Sequence, residues 1–233
     1  MKEDTGLNIV AISIFTMTMM VLVGPVFNIS PFVPATITFV ALSLVTVDTL
    51  AWQNKGTNLF VNLFASEEEK ERIIYHEAGH FLLASAYEIP IMGYTLTPWE
   101  ALKARFQNSA SGGVIFDTSI LGDKPKNLKD ITLTIEHFGI VLMAGVAAEK
   151  VIYEDSQGGE EDRQVFRSIY SDVGLNLTQF NTKQRSAVLQ AKTIIEGNKE
   201  SYLALVKAMK QRLPVSECQA TLGQLSLDCS VNS

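Results

Sequence analysis

A chain of 233 residues can hold one sizeable globular core together with accessory segments. Apolar residues make up 47% of it and the formal charge is -6, so no Lys/Arg-rich stripe exists to displace counterions from phosphates, and a nucleic-acid partner is excluded. Both cysteines, Cys218 and Cys229, lie near the C-terminal end, away from any His or acidic cluster with metal-ligand spacing, and read as free thiols.

No residue from Thr5 to Val47 is charged, and the run divides at Gly24-Pro25 through Ser30-Pro31. Each half, 7–23 and 32–50, approaches the ~20 apolar residues that cross a bilayer as a helix. Trp52 falls where an interfacial aromatic sits. A cleaved signal peptide fits less well, because Lys2 is followed at once by Glu3 and Asp4. Two buried helices of a soluble core fit less well too, because such helices normally carry a polar face. The expectation is a membrane anchor over 1–52. Lys2 precedes the first span and Lys55, Lys70 and Arg72 follow the second, while the loop between them has no basic residue. The positive-inside tendency therefore sets both termini and the following domain on the cytoplasmic side.

Residues 53–65 read as a linker. Ser66-Glu67-Glu68-Glu69 then forms a capping box that opens a helix, with Ile73, Ile74, Phe81, Leu82 and Ala84 at helical spacing and Pro90 as its stop. Between Ile91 and Phe116 the glycines, Pro98 and the pieces Tyr94-Thr95-Leu96 and Gly113-Val114-Ile115-Phe116 predict two or three short strands. After a polar turn over 121–127, one helix is expected from 128 to 153. Gln157-Gly158-Gly159 breaks the chain, and further helices follow over 160–170, 182–195 and 199–212. The domain thus covers 66–213, with 214–233 as a C-terminal tail.

Within the first of these helices stands His76-Glu77-Ala78-Gly79-His80, an H-E-x-x-H pattern. Its two histidines are one turn apart, so both imidazoles project from one face and can bind one metal ion. Glu77 lies beside them, able to take a proton from water. Zinc suits imidazole donors and a hydrolytic site, because it needs no redox change and keeps an open position. The bland alternative is two surface histidines on an amphipathic helix. The third ligand is not identified by periodicity. His137 is one candidate, although a lone His on an apolar helix is more often a core residue. Glu149 is another, being a helical glutamate. Asp162 is a third, although Glu160, Glu161 and Asp162 in a first helical turn can simply complement the helix dipole.

From 66 to 212 the chain resembles the peptidase domain of the FtsH family of membrane-bound zinc metalloproteases. His76 to Leu83 looks like that family's metal helix, Ala144 to Glu149 is similar to its GGxAAE helix, and Gln157 to Asp162 resembles its TGAxxD turn. The resemblance implies Asp162 as the third zinc ligand, with Glu149 and Gly79 in supporting roles around the site. It also implies a fold: mainly α, a two-helix transmembrane hairpin followed by an α-helical metallopeptidase domain with a small β-sheet. The chain departs from the family in one respect. FtsH proteins carry an ATPase module between membrane spans and peptidase, whereas only 53–65 lies there in this sequence, and no G-x-x-x-x-G-K-[ST] loop is present. ATP binding is therefore not expected. Two adjacent spans with a lone peptidase domain resemble the ATPase-less relatives of cyanobacteria and plastids, which implies a plasma or thylakoid membrane.

The expected activity is zinc-dependent, ATP-independent endoproteolysis of unfolded or membrane proteins. Protein or peptide substrates and the lipid bilayer are its partners, with a second copy of the chain or a separate ATPase or chaperone as further candidates. A backbone segment near 111–116 offers pairing for an extended peptide, though Gly112-Gly113 reads equally as a turn. One rival is a catalytically silent scaffold or assembly factor that retains the metal site. Another, an intramembrane protease, conflicts with the charged run Glu67 to Arg72 directly before the motif.

Overall fold

The computed structural model describes residues 2–24, 30, 32–51, 66–97, 99–101, 103, 113–117 and 128–223; of these, the side chains of 2–10, 13, 42, 44, 45, 47–51 and 128–131 lie outside the description. Also outside it are Trp52, the linker 53–65, Pro98, Gly112, the turn 121–127 and the end of the chain from 224, with Cys229. The described chain is mainly α-helical with a two-stranded sheet. It divides into two compact units, Met1–Ala65 and Ser66–Ser233.

The first unit has helices α1 (Lys2–Val23) and α2 (Phe32–Ala51). Pro34 is tolerated in the first turn of α2, where its missing N–H has no intrahelical partner to lose. The hydroxyls of Thr18, Thr36 and Thr38 each donate to the carbonyl four residues back, at 2.8 Å, so these polar groups are satisfied within their own helices. Large apolar side chains face outward, among them Phe15, Leu22, Phe32 and Phe39. The two expected helices form; among the described residues, no helix is long and apolar enough to cross a membrane.

The second unit is built around α3 (Glu67–Ala86). The Ser66 hydroxyl accepts from the Glu69 amide at 3.2 Å while the Glu69 carboxylate accepts from the Ser66 amide at 2.8 Å, so two orphan donors are satisfied and the helix start is pinned. Of the apolar positions expected from the sequence, Phe81, Leu82 and Ala84 are completely buried and Ile73 and Ile74 partly so, and Leu83 is buried with them because the end of the helix is enclosed on all sides. Strands β1 (Ile91–Tyr94) and β2 (Val114–Phe116) pair antiparallel, Tyr94 opposite Val114 and Ile91 opposite Phe116, with a bulge between Ile91 and Gly93.

The stretch expected as one helix over 128–153 is two, α4 (Leu128–Leu142) and α5 (Ala144–Tyr153). Met143, with ψ near 0°, makes the break. Next come α6 (Glu160–Asp172), α7 (Phe180–Gly197) and α8 (Lys199–Lys210). The segment after Pro214, expected as a tail, begins with a further helix, α9 (Val215–Gly223), whose Cys218 and Leu222 are buried. Helix α3 packs on α5 and α8, and α5 packs on α7. The α3–α5 crossing is close because Gly79 lacks a side chain: a Cβ there would meet the Ala144 carbonyl oxygen and the Ala148 methyl at 2.7 Å each. The Tyr202 hydroxyl of α8 donates to the Tyr75 carbonyl at 2.7 Å, which ties α8 to α3 immediately before the motif.

Candidate metal centre

His76 and His80 stand one turn apart on α3, with ring centroids 4.8 Å apart. Asp162 reaches them from the first turn of α6. Its Oδ2 lies 3.1 Å from His76 Nε2 and 3.6 Å from His80 Nε2. One ligand atom from each of the three falls within 4.8 Å of the others. Donors about 2.0–2.2 Å from a tetrahedral zinc are separated by about 3.3–3.6 Å, so the His80–Asp162 distance suits such an ion and the His76–Asp162 pair, slightly closer, would open a little to admit it.

The other ring nitrogens make the stronger argument. His76 Nδ1 is 2.7 Å from Glu149 Oε1, and His80 Nδ1 is 2.8 Å from the Val141 carbonyl oxygen. Both partners are acceptors, so each Nδ1 carries a proton, and with a metal bound each Nε2 would be the nitrogen that gives it a lone pair. Val141 is among the last residues of α4, where carbonyls lack intrahelical partners, so the break at Met143 leaves an acceptor for His80. Gly145, two residues beyond, makes room for the first ring: a Cβ at that position would stand 2.2 Å from His76 Nε2.

Glu149 does two tasks from a side chain that is 2% exposed. Besides holding His76, it accepts from the Gln157 amide at 2.8 Å and the Gly158 amide at 3.1 Å, fixing the turn that starts α6 and presents Asp162. Gly159, at φ 88°, has the left-handed conformation that turn requires. Glu77 lies beside the cluster but outside it. Its Oε2 accepts from the Val114 amide of β2 at 2.9 Å, so the sheet holds the carboxylate from one side.

In the metal-free chain burial disfavours the imidazolium of His76, yet hydrogen bonds to Asp162 and Glu149 outweigh it and push its pKa up to about 10. Burial also opposes the charged form of His80, and Asp162 reverses that shift upward. Asp162 moves the other way: desolvation raises it, but the two histidines hold it well below the ordinary carboxylate range. Burial pushes Glu77 up, against the two histidines that lower it. The set therefore pairs one anion with two histidines shifted toward their protonated forms, a composition that protons or a divalent cation can satisfy. Among the described residues, His76, His80 and Asp162 are the group that could hold a metal ion.

Of the candidates for third ligand, the fold brings Asp162 to the histidines, sets Glu149 behind His76, and leaves His137 apart, stacked on Tyr87 at 4.6 Å. Three participants escape a motif search. The Val141 carbonyl and the Val114 amide are backbone atoms with no sequence signature. Arg72, whose Nη1 donates to Glu149 Oε2 at 3.3 Å, had one: it precedes His76 by four residues and so shares its helix face. No protein-family model and no curated protein matches this chain.

Proposed function

We propose that the chain is a zinc-dependent, ATP-independent metalloendopeptidase, an ATPase-less relative of the FtsH peptidases, acting on unfolded or membrane proteins. The observation that carries the reading is the cluster of His76, His80 and Asp162, with both Nδ1 atoms held by acceptors and Glu77 alongside. His76 and His80 would hold zinc through Nε2 and Asp162 through its carboxylate. Zinc bound there supplies a Lewis acid that lowers the pKa of water and polarises a peptide carbonyl. Glu77 takes a proton at its carboxylate and delivers it to the leaving amine. The Val114 amide restrains one oxygen of that carboxylate, which leaves Oε1 as the atom for proton transfer. Glu149 accepts the Nδ1 proton of His76 and so aims Nε2 at the metal, and an extended substrate has the β1–β2 sheet to pair with.

The N-terminal unit is proposed as a membrane anchor with both termini cytoplasmic or stromal, in a plasma or thylakoid membrane. Its support is the charge-free sequence from Thr5 to Val47 and the outward-facing Phe15 and Phe32, 67% and 80% exposed. Added protease on sealed membranes tests this, since cleavage beyond Ser66 from the opposite side reverses the orientation.

The activity is tested by incubating the purified chain with casein. Cleavage that a chelator stops, zinc restores and Glu77→Gln abolishes is the expected result. A silent scaffold, which the missing nucleotide-binding loop would suit, binds zinc and leaves casein intact.

A further inference from the structure

Arg72 lies outside the proposed chemistry, yet its side chain is only 11% exposed and its contacts converge on the centre. Its guanidinium carbon stands 4.2 Å over the Tyr153 ring, and Nη1 donates to Asp155 at 2.8 Å and to Glu149 Oε2 at 3.3 Å. Three elements of structure, α3, the end of α5 and the residues after it, thus fix one cation.

Glu149 is where that cation matters. A carboxylate exposed by 2% is costly unless its charge is compensated. The Gln157 and Gly158 amides are neutral, and His76 is neutral whenever its Nε2 lone pair is given to a metal. The guanidinium keeps its charge in every state of the site. We propose that Arg72 is a positioning residue for the metal centre: it holds Glu149 through one oxygen so that the other fixes His76 Nδ1 and aims Nε2 at the ion. The inference rests on the metal reading above. The plain alternative is an ion pair that only joins α3 to α5, which lowers stability and leaves metal binding alone.

The test measures zinc affinity of the full chain by competition with a chromophoric chelator, and records the visible spectrum of the cobalt-substituted form. Compared are the wild type, Arg72→Met, Arg72→Lys, His80→Ala and Lys210→Met. The last removes a different ion pair from α3, that between Lys210 and Glu71. Arg72→Met is expected to weaken zinc binding on the order of tenfold and to alter the cobalt spectrum. Arg72→Lys recovers part of the loss, and Lys210→Met changes neither readout. Circular dichroism of the metal-free variants checks folding, and Arg72→Lys carries the test if Arg72→Met fails to fold. Zinc bound by Arg72→Met as tightly as by the wild type overturns the proposal. So does an equal loss in Lys210→Met, or an Arg72→Lys variant no tighter than Arg72→Met. A wild type that takes up no more zinc than His80→Ala defeats the metal reading itself and this inference with it, an outcome distinct from a wild type that binds while Arg72 proves indifferent.

Discussion

At the scale of single residues, Glu77 and Gly145 separate chemistry from construction. A glutamine at 77 still accepts from the Val114 amide, so Glu77→Gln is expected to keep its zinc while hydrolysis falls by about 10²- to 10⁴-fold, the usual worth of a general base. Cleavage near the wild-type rate by a clean preparation contradicts the assignment. Gly145→Ala does the reverse, driving a methyl to 2.2 Å from His76 Nε2. Zinc affinity should drop on the order of 10- to 100-fold, read by chelator competition, with helical content retained. The metal-free pair adds a pH dependence. His76 rises from 6.5 to about 10 on folding, so its stabilising contribution is complete below 6.5 and is lost as pH climbs through about 10. Asp162 is depressed from 3.8, so its contribution is present above that value and is lost as pH falls through its lowered pKa. The melting temperature of chelated wild type should therefore fall more between pH 6 and pH 10 than that of Asp162→Asn, and parallel declines contradict the pairing. Two of the three proposed ligands were legible in the sequence, because one helical turn relates them. Asp162 was not, since no local period connects it to His76 across 86 residues; only the resemblance of its turn pointed to it.

Among the elements, α3 carries most of the site, and its register depends on its start. Ser66→Ala removes the acceptor for the Glu69 amide and should cost about 1 kcal/mol in chemical denaturation, while zinc affinity stays unchanged because the histidines begin three turns inward. A loss of metal binding with it would mean that the capping box sets the ligand geometry directly. The start of this helix was legible because capping is local chemistry. The division of α4 from α5 was not: Met143, Ala144 and Gly145 are acceptable within a helix, and nothing local to them marks the break beside the His76 ring that Gly145 makes room for. The helix α9 was missed for a similar reason, since its nine residues bear too few apolar positions for a period, and burial of Cys218 and Leu222 is what holds it. The second strand was legible in place, whereas β1 runs over Ile91–Tyr94 and shares only Tyr94 with the expected piece Tyr94-Thr95-Leu96; the register, shifted by the bulge between Ile91 and Gly93, was not legible.

For the whole molecule, the centre joins segments far apart in sequence, α3, the α4–α5 break and the start of α6, so an ion held there stabilises the folded chain only. A ligand at about 1,000 times its Kd adds about 4 kcal/mol, and the melting temperature should rise accordingly with zinc in the wild type but not in His80→Ala. An equal rise in both would place the metal elsewhere. The most direct measurement is zinc K-edge X-ray absorption of the full chain. The proposed centre predicts one zinc with two imidazole nitrogens at about 2.0–2.1 Å, oxygen at about 2.0–2.2 Å and no sulfur shell. A spectrum with sulfur near 2.3 Å, with a single imidazole, or with no stoichiometric zinc at all contradicts it.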